Sequence, residues 1–76
     1  MHTYQTLEAV VLTRDLPEHN LRKGDLGTVV EVYSAGGVEV EFLTASGRTA
    51  AVVTLDIEDV RPGADDDLVA VRPSRP

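Results

Sequence analysis

Gly24-Asp25-Leu26-Gly27-Thr28-Val29-Val30-Glu31-Val32-Tyr33-Ser34-Ala35-Gly36-Gly37-Val38-Glu39-Val40-Glu41-Phe42 is the stretch that decides the fold. Its second half alternates strictly. Val38, Val40 and Phe42 face a core while Glu39 and Glu41 face water, as a half-buried strand requires. Its first half, Asp25 to Tyr33, is rich in valine, whose branched side chain suits a pleated sheet better than a helix. Ser34 to Gly37 is a tight turn, so the two halves read as a hairpin. Gly24 and Gly27 bracket Asp25, which lets the backbone turn sharply as it enters the strand. An isolated glycine within a strand marks a bulge or a close backbone approach. Without a bulge, Thr28, Val30 and Val32 share one face and Val29, Glu31 and Tyr33 the other; a bulge at Gly27 shifts that register.

The flanking sequence continues the pattern. Leu7 to Thr13 reads as a strand, and Arg48 to Leu55 as another, after a second turn at Thr44-Ala45-Ser46-Gly47. Asp56 to Asp59 is a single helical turn with Asp56 as its cap, and Val60-Arg61-Pro62 is a very short closing strand. Between the first two strands lies a long loop, Arg14 to Gly24. Pro17 cannot donate a ladder hydrogen bond, Asn20 and Gly24 suit turns, and Leu16 and Leu21 are expected to fold inward and pin the loop. Five strands at hairpin spacing, with no sustained 3.6-residue periodicity, predict an all-β fold closed into a small barrel. Closure would remove edges that are a hazard in so valine-rich a chain.

Residues 1–62 form this domain, and residues 63–76 read as a tail. Gly63-Ala64-Asp65-Asp66-Asp67 is a polar break; Leu68 to Arg72 is a short apolar stretch able to add a strand to the domain's edge or to a second copy. A domain this small is marginally stable alone, and without cysteine no disulfide can staple it.

Across all 76 residues, seven Lys and Arg stand against thirteen Asp and Glu, a net charge of −6. Five basic and ten acidic residues lie at or before Arg61, so the acidity belongs to the domain and not to the tail. The absence of cysteine excludes thiol nucleophiles, redox dithiols and cysteine-based zinc sites. No apolar run approaches the roughly 18 residues of a membrane span, and the polar start is no signal peptide, so a cytoplasmic protein is expected. An anionic surface repels phosphate backbones and disfavours nucleic acid.

The segment Asp15-Leu16-Pro17-Glu18-His19, followed by Lys23-Gly24-Asp25-Leu26-Gly27-Thr28-Val29-Val30-Glu31-Val32-Tyr33 and a strand ending Glu39-Val40-Glu41-Phe42, resembles a family of small bacterial proteins of uncharacterised function. The resemblance runs through Thr54-Leu55 to Val60-Arg61-Pro62 and names no activity. The Lys23 to Val29 core is also similar to SH3-like barrels, including the KOW modules of ribosome and transcription proteins, which implies a five-stranded SH3-like barrel with one short helical turn and a C-terminal tail.

Three groups of residues could carry chemistry. Asp15, Glu18 and His19 lie close together in the loop, and His19 is the group there that titrates near neutrality. Turn chemistry accounts for them better, and no second ligand group with site spacing accompanies them, so neither metal nor catalysis is expected. Arg22 and Lys23 form the one adjacent basic pair, flanked by Asp15, Glu18 and Asp25; without interleaved aromatics they offer bases no stacking platform. Glu31, Glu39 and Glu41 come together with Tyr33 if the hairpin forms, either as a solvated face that resists aggregation or as an acidic patch for a basic partner. Asp65-Asp66-Asp67 lacks the loop spacing of a calcium site. The expectation is a non-enzymatic protein-binding module without cofactors, the antitoxin-like or immunity-like partner of a basic protein, acting by occlusion. The alternative is an RNA- or ribosome-associated KOW-like module. The chain is expected to be a monomer or a weak homo-oligomer through its tail.

Overall fold

The computed structural model describes residues 2–67; the strand expected at Leu68 to Arg72 lies outside them. Five strands form one antiparallel sheet: β1 (Ala9–Leu12), β2 (Leu26–Val32), β3 (Gly37–Leu43), β4 (Thr49–Asp56) and β5 (Val60–Pro62). Single 3-10 turns occupy Pro17–His19 in the long loop and Ile57–Asp59 between β4 and β5. The spatial order is β4-β3-β2-β1-β5. The mostly-β fold and its five strands agree with the sequence pattern. The closed barrel does not: β4 and β5 are the two ends of an open sheet. Chain geometry accounts for this. β5 is three residues long and is spent on β1, and the 3-10 turn at Ile57–Asp59 carries the chain between the two end strands without a hairpin.

Both hairpins use the same device. The Tyr33 amide bonds to the Gly37 carbonyl at 2.9 Å, and the Thr44 amide to the Arg48 carbonyl at 2.8 Å, each closing a three-residue loop. Gly36 and Gly47 end these loops at φ +91° and +90°, the left-handed conformation such loops require.

The core forms on the inward face of the sheet. Val38, Val40 and Phe42 of β3 meet Val53 and Leu55 of β4, Val29 of β2, Val10 and Leu12 of β1 and Val60 of β5. Leu16 and Leu21 enter the same cluster and pair by two backbone bonds, 2.9 and 3.1 Å, which pins the loop as the sequence predicted. Asp15 and Asp25 finish the loop: Asp15 Oδ1 accepts from the Lys23 amide at 2.8 Å, and Asp25 Oδ2 from the Arg22 amide at 2.9 Å.

The bulge in β2 falls at Val30 and not at Gly27. The pairing runs Val29↔Val40 and then Glu31↔Glu39, leaving Val30 as the extra residue. Val29 is thereby paired with Val40 and fully buried, while Glu31 lies directly across from Glu39 in the register set by the Tyr33–Gly37 loop. Gly27 answers the other need, close approach: a Cβ there would sit 2.5 Å from Val40 Cγ1 and 2.8 Å from Phe42 Cε1. β1 begins later than expected. Leu7 lies in a turn at φ +72°, its amide bonded to the Val29 carbonyl, and is largely exposed.

Two ion pairs fasten the ends. Arg14 Nε donates to Asp59 Oδ1 at 2.8 Å, while the Thr13 amide donates to the Asp59 carbonyl, tying the second 3-10 turn to the end of β1. Arg61 grips Asp67 with two bonds of 3.0 and 2.7 Å, and Asp67 Oδ2 accepts from the Ala64 amide. Together with the Gly63 amide bonded to the Ala9 carbonyl, this clips residues 63–67 against β1 and β5. Asp56 occupies the cap position of the second 3-10 turn but makes no side-chain cap bond, contrary to expectation.

Candidate functional site

Glu31, Tyr33, Glu39 and Glu41 meet on the outward face of β2 and β3. Strand alternation puts Glu39 and Glu41 opposite in direction to buried Val38, Val40 and Phe42. The register sets Glu31 against Glu39 and Glu41 against Thr28 on one side, and Glu39 against Thr54 and Glu41 against Val52 on the other. Tyr33 closes the row: its hydroxyl donates to Glu39 Oε1 at 2.7 Å. That bond to a carboxylate holds the phenol's proton and raises its pKa above the usual 10, with desolvation and the charges of Glu39 and Glu31 acting the same way. Thr49 Oγ1 donates to Glu41 Oε2 at 2.7 Å. Among the described residues no cation forms an ion pair with Glu31, Glu39 or Glu41.

Like charges directly opposed in an antiparallel pair destabilise it. Glu31 and Glu39 therefore repel each other across the strands, on a face bounded by half-exposed Tyr33 and Val52. Thr28, Thr49, Val52 and Thr54 share that face and were not singled out in the sequence. Their signal is register: β4 carries a second bulge, with Ala50 the extra residue between Phe42↔Ala51 and Leu43↔Thr49, and the shared face emerges only once both bulges are placed.

The loop residues are arranged differently. Asp15 and the Arg22 and Lys23 backbones serve the turn, as above. Glu18 and His19 lie in the first 3-10 turn, exposed, where the His19 amide bonds to the Leu16 carbonyl at 3.0 Å. A hollow of about 220 Å³ is lined by Asp15, Pro17, Asn20, Leu21 and Arg22, smaller than the ~300–1,000 Å³ of typical ligand pockets. No group of three or more His, Asp or Glu among the described residues could hold a metal ion. His2 contacts Glu8 and packs edge-on against Tyr4 with ring centroids 4.6 Å apart.

Residues 6–62 match the family described as a domain of unknown function, DUF4926. The match takes in every strand and well over half of the chain, so the protein belongs to this family. No curated protein and no solved structure matches it. No helix among the described residues is long and apolar enough to cross a membrane.

Proposed function

We propose that this chain is a non-catalytic protein-binding module, placed in the cytoplasm, whose acidic outer face receives a basic protein. The observation that carries the reading is the Glu31–Glu39 opposition on the exposed face of β2 and β3, with Glu41 beside it and no described cation to balance them. A partner's Lys or Arg side chains laid across that face would remove the repulsion on binding, so the arrangement favours the complex over the free chain. The same charges speed encounter by steering, an effect that salt weakens. The domain would act by covering its partner's working surface, in the manner of an antitoxin or immunity protein. The strand order, with a 3-10 turn between the last two strands, supports reading the sheet as an SH3-like barrel left open on one side.

The RNA-binding alternative draws on Arg22 and Lys23. The carboxylates of Asp15 and Asp25 accept the backbone amides of these same two residues, so a phosphate arriving there meets two anions. The deciding experiment is capture of the partner at low and high salt, with the full chain and with Glu39→Lys/Glu41→Lys as baits. The reading expects a basic protein retained at low salt, released at high salt and absent from the variant. Equal retention by both baits overturns it.

A further inference from the structure

The described residues end on the outer face of the sheet, and the sequence that follows them complements that face. In β1, Val10 and Leu12 belong to the core cluster and Val11 does not; it points outward, yet it is only 1 % exposed. Its neighbours in register are Leu26 of β2 and Arg61 of β5. Arg61 points outward as well, since Val60 beside it lies in the core, and its guanidinium grips Asp67. Asp67 is thereby held on the same face as Glu31, Glu39 and Glu41. Residues 68–76 begin with the apolar run Leu68-Val69-Ala70-Val71 and then carry Arg72 and Arg75, with no Asp or Glu.

The β5 edge offers this segment little as a further strand. The Gly63 amide bonds to the Ala9 carbonyl and the Thr13 amide to the Asp59 carbonyl, both at 2.9 Å. Val11↔Arg61 is therefore the bonded pair, and the peptide groups of Val60 and Pro62 turn away from β1. Pro62 has no amide hydrogen to give. The Val60 carbonyl accepts from the Tyr4 hydroxyl at 3.3 Å, and the Pro62 carbonyl from Arg61 Nη1 at 3.2 Å. We propose that residues 68–76 instead fold back across the outer face, Leu68 to Val71 over Ala9, Val11 and Leu26, and Arg72 and Arg75 over Glu31, Glu39 and Glu41. Register marks the path: Gly63 is bonded to Ala9, and Ala9, Thr28 and Glu41 follow one another across β1, β2 and β3. From β5 to β3 is three strand spacings, about 14 Å. The five residues from Asp67 to Arg72 span up to about 17 Å when extended, so Arg72 reaches Glu41 and Arg75 can reach the carboxylates beside it. The segment thus supplies the cations that the described ion pairs do not bring to these three carboxylates. A basic partner would have to displace it, a consequence that rests on the proposed partner reading; the docking itself does not.

The chain has no cysteine, so Ser74→Cys gives a single site for a nitroxide label between the two arginines. In the ¹⁵N-labelled full chain at low salt, the nitroxide should strip most of the intensity from the amides of Thr28, Glu31, Glu39 and Glu41. Raising the salt should weaken the effect, and Arg72→Gln/Arg75→Gln should abolish it. Glu39→Lys/Glu41→Lys should abolish it too, and adding Arg72→Glu/Arg75→Glu to that variant should bring it back. Nitroxide-bearing chain without ¹⁵N, mixed with ¹⁵N chain without nitroxide, should broaden nothing. Broadening confined to the residues next to Asp67, broadening of Val60 to Pro62 without the outer face, or broadening that passes between copies in the mixture overturns the proposal. A lysine-rich polypeptide added to the nitroxide-bearing chain should restore the lost signals by displacing the segment. Broadening that persists through that addition strikes the partner reading and leaves the docking standing.

Discussion

Replacing Gly27 by alanine tests the packing on which the sheet depends. The new Cβ would lie 2.5 Å from Val40 Cγ1 and 2.8 Å from Phe42 Cε1, where ordinary contact begins at 3.4 Å. Val40 is fully buried and Phe42 nearly so, which leaves neither a free direction to retreat. Val40 Cγ1 alone must give way by the difference between 3.4 and 2.5 Å, 0.9 Å. Overpacking of a tight core costs ~1–3 kcal/mol, and two simultaneous clashes place this variant in the upper part of that range, about 2–3 kcal/mol. For a domain of this size each kcal/mol moves the melting midpoint by ~4–8 °C, so a fall of about 10–20 °C is expected. Urea denaturation should show a midpoint lower by about 2 M, at a slope of ~1 kcal/mol/M. Gly47→Ala is the control. A Cβ there meets nothing within 4 Å, and only its φ of +90° is unfavourable, so the loss should be nearer ~1 kcal/mol. Combining Gly27→Ala with Val40→Ala should cost less than the sum of the two, by ~1 kcal/mol, because one vacates the space the other needs. A Gly27→Ala protein within ~0.5 kcal/mol of the wild type, or strict additivity in the double variant, would refute the close approach and with it the register of β2 on β3.

Further outcomes follow from the charged groups. The Asp67 carboxyl is held down to about 2, first by the Arg61 side chain and then by the Ala64 amide, so its NMR titration midpoint should fall near 2 and return toward the ordinary carboxylate range in Arg61→Gln. Asp59, also lowered, chiefly by Arg14, acts in the same direction. For both groups the unfolded chain binds the proton first; the stabilisation is complete above the ordinary carboxylate pKa and disappears as pH falls through the folded value. Acid unfolding should therefore deepen from about pH 4 toward pH 2, and less steeply in Asp67→Asn/Asp59→Asn. In a Tyr4→Phe background, Tyr33 should ionise above 10 in an ultraviolet titration, and Glu39→Gln should bring it down. Glu31→Lys should turn the opposed carboxylates into an attractive pair, raising stability by ~0.2–1 kcal/mol, more at low salt than at high; no gain at low salt would contradict the Glu31–Glu39 register.

Much of this architecture was legible because it rests on local patterns. The alternation from Val38 to Phe42 is the buried face of β3, and the glycines at the ends of two short polar turns closed both hairpins. Leu16 and Leu21 were the two apolar side chains of a polar loop, and burying them is what pins it. The bulge was not legible at its true place. A glycine advertises conformational freedom, but here Gly27 supplies room for Val40 and Phe42 while β-branched Val30 takes the extra position, and nothing in a valine run distinguishes one valine from the next. Sheet closure was not legible either, since it depends on where a three-residue strand finds its partner. The ion pairs Arg14–Asp59 and Arg61–Asp67 differ in kind: the first joins residues 45 apart and needs the fold to be seen. The second spans six residues, and the Asp67 carboxylate that also accepts the Ala64 amide was concealed in a run of three aspartates read as a polar break. Glu31, Tyr33, Glu39 and Glu41 were named from the pattern, but that Glu31 faces Glu39 directly follows from a three-residue loop that pairs Tyr33 with Gly37, where the sequence read Gly37 as part of the turn.

The acidic outer face is the centre of the account, and it is tested most directly by locating where a cationic ligand lands. The full chain, labelled with ¹⁵N, is titrated with a lysine-rich polypeptide at low salt while amide resonances are followed. The largest shifts should fall on Val30 to Tyr33, Glu39 to Phe42 and Val52 to Thr54, and Glu39→Lys/Glu41→Lys should abolish them. Shifts concentrated instead on the loop from Asp15 to Gly24, or on Asp65 and Asp66, with the outer face unmoved, would contradict it.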